Sequence, residues 1–145
     1  MLLYYNFAMN EMYNMGLSLH SLGGMSLMGV IFLNIFFLRI AKDLQKYKRL
    51  MSIFLLPLTA TVLGLDIFTG IVMMAAKNLD FTIENIVMIG ISILLIVLEV
   101  KRAKSLKYMN PNKERSLEAY KTYATKLLLI EAAWTFVIFI WMWWI

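Results

Sequence analysis

Four ionisable residues, His20, Asp66, Glu99 and Glu131, interrupt otherwise apolar stretches of this chain. In a lipid environment such groups cost roughly +2.5–3.5 kcal/mol each on insertion scales, so each is a functional candidate by default. His20 is the only histidine. A neutral imidazole facing the interior of a helical bundle can serve as an axial ligand to haem or as a metal ligand. Its plainer alternative is a neutral histidine bonded to a backbone carbonyl near the start of its helix. Asp66 is either a proton-handling or orienting neighbour of His20, or a group hydrogen-bonded to Thr61, Thr69 or Ser18. Gly23, Gly24, Ser26 and Gly29 follow His20 closely. Their small side chains leave a groove that can admit a flat macrocycle beside Gly24, or let two helices approach closely.

Methionine supplies a second chemistry, with 12 residues in the chain. Met9, Met12 and Met15 recur at i, i+3 and i+6, and soft thioethers with His20 as an extra ligand would suit Cu(I). Methionine also replaces leucine in apolar segments and packs adaptably. Met73, Met74, Met88 and Met142 are scattered in that way, and packing is the favoured reading of the outer set too. Other chemistries lack their parts. The sequence has no cysteine for a disulfide, thiolate site or nucleophile, and it has no HExxH, nucleophile elbow or phosphate-cradling Gly-rich loop.

The elements that must position these residues are long and apolar. Hydrophobic residues make up 61% of the 145 and charged residues 16%, with mean hydropathy +0.73. A soluble domain carries about 45–50% and about 25%. Crossing ~30 Å of hydrocarbon takes roughly 20 apolar residues, and four runs qualify. They cover residues 15–38, 50–76, 82–100 and 126–145. The second holds Pro57, Gly64 and Gly70, which packed membrane helices tolerate. Residues 113–125, mixed in charge and capped by Asn112, predict a water-exposed helix leading into the last span. The expected fold is all-α: one integral membrane domain forming an antiparallel up-down four-helix bundle. The first 16 residues lack a basic segment and cleavage site and read as mature sequence.

Short loops rich in Lys and Arg stay cytoplasmic. The first connection holds five such residues, from Arg39 to Arg49, and the third holds eight, from Lys101 to Lys126. Lys77 alone lies on the other side, a split of 13 to 1. Both termini are therefore expected outside a bacterial-type cytoplasmic (inner) membrane. Trp141, Trp143, Trp144, Tyr4, Tyr5, Phe7 and Tyr13 suit an outer aromatic belt. The net charge of +5 is confined to loops and does not indicate nucleic-acid binding; the expected partner is the lipid bilayer.

Depth follows from a rise of ~1.5 Å per residue. His20 lies ~28 Å and Asp66 ~26 Å above the cytoplasmic boundary, so the two are expected to be neighbours. Glu99 and Glu131 lie near the inner face with Arg39 available as partner, and a structural ion pair is the reading for these three.

Leu19-His20, with Leu27 and Gly29 after it, resembles the first helix of the four-helix membrane superfamily that includes CopD-type domains and HemJ-type protoporphyrinogen oxidases. Tyr47-Lys-Arg-Leu-Met51, Pro57 and Thr69-Gly70-Ile-Val-Met73 are similar to the HemJ-type second helix. The resemblance implies haem b held with His20 as ligand, and electron exchange with a quinone. Glu131 falls where that family carries a glutamate early in helix four. One feature departs: the family's lysine early in helix three is missing from Phe81-Thr-Ile-Glu-Asn-Ile-Val87, which speaks against protoporphyrinogen oxidase activity. Three functions thus stand in the sequence: a haem-binding redox protein, a copper-handling or small-solute transporter, and a non-catalytic subunit of a larger membrane complex; the expected protein partners are further copies in a homo-oligomer or the members of such a complex.

Overall fold

The computed structural model describes residues 2–78, 81–110 and 115–144, with side chains described for 7–78, 81–110 and 115–141. Helix α1 runs Leu2–Ile40 and α2 runs Leu44–Leu50. A π-helical turn at Met51–Leu55 passes without a break into α3, Leu56–Ala76. Helix α4 spans Ile83–Tyr108 and α5 spans Ser116–Trp144. These make four rods long and apolar enough to cross a membrane, the second built from α2, the π turn and α3. The all-α four-helix membrane fold is the one expected.

The rods overrun the expected spans at five of their eight ends. Helix α1 begins thirteen residues before the expected start at Met15, and at its other end Arg39 sits in its last turn. Its 39 residues rise ~58 Å, far more than the hydrocarbon thickness. Basic residues Lys46, Lys48 and Arg49 are helical instead of looped, and α4 carries on through Lys101 and Lys107 to Tyr108. The water-exposed helix and the last span are one continuous α5. Asn112 and its cap lie outside the described residues. Charged side chains do not end a helix; they only end its residence in lipid.

Local chemistry marks the true boundaries. Asp43 is extended and its carboxylate accepts from the backbone of Gln45 (2.8 Å) and Lys46 (3.4 Å), capping α2. Thr82 does the same for α4 through the Asn85 amide. Lys121 donates to the carbonyls of Arg39 and Ala41 at the end of α1, and Lys48 to that of Lys107 (2.8 Å) near the end of α4. Cations belong at those carbonyl-rich termini. Pro57 explains the π turn. It has no N–H to give Ile53 and its ring crowds that carbonyl, and the Leu56 amide reaches five residues back to Met51. Such turns mark functional or strained positions.

Helix α1 packs along α3 and α5, α5 along α4, and α4 more lightly along α3. As α1 advances from Gly16 through His20 to Asn34, its partners on α3 retreat from Met73 through Asp66 to Thr59. That is antiparallel pairing. The apolar core runs through Leu27, Ile31, Leu38, Tyr47, Leu55 and Leu128, while Phe32, Phe36, Phe68 and Ile93 face outward as lipid-exposed residues do. Lys77 stands 4.4 Å over the Tyr13 ring and ties the far end of α3 to α1. Tyr13 and the exposed Phe7 and Trp141 lie at that end; the side chains of Tyr4, Tyr5, Trp143 and Trp144 fall outside the described ones.

Close approach depends on two glycines. A Cβ on Gly23 would come within 2.8 Å of Asp66 Oδ1, and one on Gly16 within 2.8 Å of Met73 Cγ. Gly64 meets nothing within 4 Å. Gly23→Leu is therefore expected to cost about 1–3 kcal/mol of overpacking, read as a lower midpoint of unfolding in detergent. Gly64→Leu, filling open space on a helix, should leave the midpoint unchanged or raise it.

Candidate functional site

Two polar levels interrupt the apolar interior. The upper one is built on His20 of α1 and Asp66 of α3, which meet as their depths require. His20 Nδ1 lies 3.0 Å from the Asp66 backbone carbonyl, 3.1 Å from Thr69 Oγ1 and 3.3 Å from Asp66 Oδ1. A carbonyl oxygen can only accept, so Nδ1 carries the proton and donates. The Nε2 of the neutral ring is then the lone pair available to a ligand. Thr69 Oγ1 donates back to the carbonyls of Leu65 and Asp66, both at 3.0 Å. Its hydroxyl is fixed and the ring is held in one orientation. The carboxylate of Asp66 is not bonded to Thr61 or Ser18, which instead donate to the carbonyls of Pro57 and Asn14 in their own helices. Its Oδ1 is buried and completes no hydrogen bond of normal geometry among the described residues.

His20 and Asp66 stand in the wall of a cavity of about 580 Å³ enclosed by α1, α3, α4 and α5. This size lies in the range of cofactor sites. Its lining is mostly apolar, with Ser21, Ser92 and Thr135 as further polar points and Met25, Met28 and Met88 among the walls. Gly24 lines it too, and a Cβ there would meet nothing within 4 Å. The small-residue groove therefore divides its work: Gly23 lets α3 approach and Gly24 leaves space. Met25 is 54% exposed and Phe136 55%, so the cavity opens sideways onto the apolar surface.

The residues present fit a flat apolar group with a metal at its centre. The imidazole is oriented by its other nitrogen, as ligating histidines are, and thioethers that could complete His/Met ligation line the same space. No Lys or Arg is among the residues that line the wall.

The outer methionines do not join this site. On one helix Met15 stands roughly 140° around from His20, and Met9, which shares its face, lies ~16 Å away along the axis. Met15 is 68% exposed. Met9, Met12 and Met15 are not among the residues that line the cavity with His20. Among the described residues no three or more His, Asp or Glu side chains gather as a metal site.

The lower level differs most from expectation. Arg102 is completely buried. Its Nε and Nη2 grip both oxygens of Glu99 at 2.7–3.0 Å, and its Nη1 donates to Asn34 Oδ1 at 3.0 Å. Met51 Sδ, in the π turn, lies 3.6 Å from the same Nη1. Asn34 Nδ2 donates to the Val30 carbonyl (2.9 Å) and to Thr59 Oγ1 (3.2 Å), and Thr59 donates to the Leu55 carbonyl. One guanidinium thus binds α1, α4 and the rod containing α3.

Arg39 is not the partner of Glu99 or Glu131. It is exposed, because Leu38 turns inward and the next residue lies ~100° around the helix. The ion-pair reading holds for Glu99, with Arg102 as its cation. Glu131, 3% exposed, faces that pair across the bundle, and its Oε1 has no hydrogen-bond partner among the described residues. Tyr47 and Tyr120 close the level from below, ring centroids 5.9 Å apart.

Arg102, Asn34, Thr59, Tyr47 and Tyr120 carry this level without having stood out in the sequence. The spacing Glu99-x-x-Arg102 was the available signal, since i and i+3 share a helix face.

Removing one member of a buried pair strands the other. Arg102→Leu is expected to cost about 3–5 kcal/mol, and Glu99→Leu with Arg102→Leu together to recover much of it. Thermal unfolding in detergent measures both. A double variant as unstable as Arg102→Leu alone would show that the stranded Glu99 charge is not the cause.

Comparison with known proteins finds no match for this chain among family models, curated proteins or solved structures.

Proposed function

We propose that this chain is a haem-binding redox protein of a bacterial-type cytoplasmic membrane, with His20 as axial ligand in the cavity between the four helices. A single observation carries the reading. The only histidine of the chain is fixed through Nδ1 to α3 and lines an apolar space of about 580 Å³. Haem b there supplies one-electron transfer, and a membrane quinone is the exchange partner suited to a cavity that opens onto lipid. The resemblance of Leu19-His20 and Gly29 to the first helix of CopD-type and HemJ-type proteins points the same way. Asp66 orients His20 through its backbone carbonyl and sets a carboxylate within 3.3 Å of the ring.

Protein purified from haem-replete cells should show a Soret band. His20→Ala should abolish it, while Ser18→Ala, whose hydroxyl bonds only within its own helix, should retain it. A colourless wild-type preparation of full yield would overturn the proposal. Copper that co-purifies with colourless protein and depends on Met9, Met12 and Met15 would favour metal handling. A stable protein partner with neither would favour the subunit reading.

Both termini are assigned to the non-cytoplasmic side by the 13-to-1 distribution of Lys and Arg. The chain has no cysteine, so single cysteines can report sidedness. Phe81→Cys, in the exposed second connection, should react with an impermeant maleimide added outside cells. Tyr108→Cys, equally exposed at the end of α4, should react only after the membrane is opened.

A further inference from the structure

The lower polar level holds two carboxylates and one guanidinium, and the charges do not balance. Arg102 is engaged with both oxygens of Glu99, so that pair is neutral as a unit. Glu131 remains. It is 3% exposed, its Oε1 is buried and without a hydrogen-bond partner among the described residues, and the charges facing it are those of Glu99 and Arg102. The other titratable groups of the level are the hydroxyls of Tyr47 and Tyr120. Neither hydroxyl completes a hydrogen bond of normal geometry among the described residues. Helices α1 and α3 contribute only the uncharged Asn34 and Thr59. Lys126, the nearest cation in sequence on α5, is exposed. Among the described residues no second cation stands in this level to pair with an ionised Glu131, and an unpaired buried charge neutralises itself in preference to persisting.

We infer that Glu131 is a proton-binding site: its carboxylate takes a proton from hydronium, forming an O–H bond at the unpartnered oxygen and leaving water, and so brings the buried level to net zero charge. The site is placed to serve the cavity. Thr135, one turn along α5, donates to the Glu131 backbone carbonyl at 2.8 Å and is itself part of the cavity wall. Glu131 therefore stands about one helical turn, four residues and ~6 Å of rise, from the cavity wall. A redox centre there that gains negative charge on reduction would have a compensating proton close by. The site itself depends only on the count of charges in the lower level and stands whether or not haem is bound.

Infrared spectroscopy of the purified full-length protein reads the proton directly, through the C=O stretch of a protonated carboxylic acid. Wild type at neutral pH should show this band, and it should move to lower frequency in D2O. Glu131→Gln should remove it. Glu99→Gln should also remove it, because Arg102 is then left to balance Glu131 alone and Glu131 ionises. This second variant keeps the test valid if the first folds poorly. Asp66→Asn should leave the band in place, which separates Glu131 from the partly buried carboxyl beside the cavity. Absence of the band in wild type, its survival in Glu131→Gln, or its loss in Asp66→Asn alone would overturn the assignment. A band insensitive to D2O would show a trapped proton and no exchangeable site. Soret absorbance measured on the same samples keeps this result distinct from the haem reading: the band is expected in colourless protein too.

Discussion

A guanidinium without exposed surface, inside a bundle whose outside is apolar, constrains everything around it. Arg102 offers five donors in a fixed plane, and in lipid each must find an acceptor within the protein. Glu99 supplies two oxygens from the same helix, which sets the plane of the fork. Asn34 supplies the third contact from α1, and its own amide must then be satisfied by Val30 and Thr59. The requirement thus passes from α4 to α1 to α3, and each hydrogen bond fixes the register of one helix against the next. Leucine contacts can slide by a turn at modest cost in a membrane, where lipid is as apolar as the core. These contacts cannot.

The π turn belongs to the same constraint. Pro57 breaks the regular ladder, and the wider turn that absorbs the break carries Met51, whose sulfur lies against Arg102. The residues after the turn then bring Thr59 to Asn34 and, farther on, Asp66 and Thr69 to His20. A regular helix through Met51–Leu55 would rotate α3 relative to α2. It could satisfy the tyrosine end of the rod or the histidine end, but not both in this arrangement.

Hydropathy made the four rods legible, because a span needs little beyond length and apolarity. The meeting of His20 with Asp66 was legible too, since depth along antiparallel helices is simple arithmetic from the basic boundaries. Depth did not reveal the lower level. Arg39 and Arg102 both lie in stretches that count as basic loop, yet one is exposed and the other has no exposure at all. What separates them is azimuth: Leu38 faces the core and leaves Arg39 outside, whereas Arg102 shares its face with Leu95, Leu98 and Glu99. Asn34 was passed over because one neutral amide among apolar residues has little effect on a hydropathy average. Its importance comes only from the partner across the bundle, which no single helix discloses. The outer methionines stand apart from the cavity lining, since a spacing of three along the chain carries them around the helix.

The two levels divide the molecule's work. At the lower level every helix is bonded or packed to a buried polar neighbour, and Lys121 and Lys48 seal two helix ends beneath it. At the upper level the contacts fall mainly between α1 and α3, where Gly16 and Gly23 admit the closest approach. Helices α4 and α5 stand away from His20 there, and the space between is the cavity. A bundle clamped at one end can leave its other end open without losing its fold. Thr135 is where the two regions touch, one turn above Glu131 and in the cavity wall. The ionisable groups at the lower level are therefore structural where they are paired and free to bind a proton where they are not. Glu99 and Arg102 answer to the first description and Glu131 to the second.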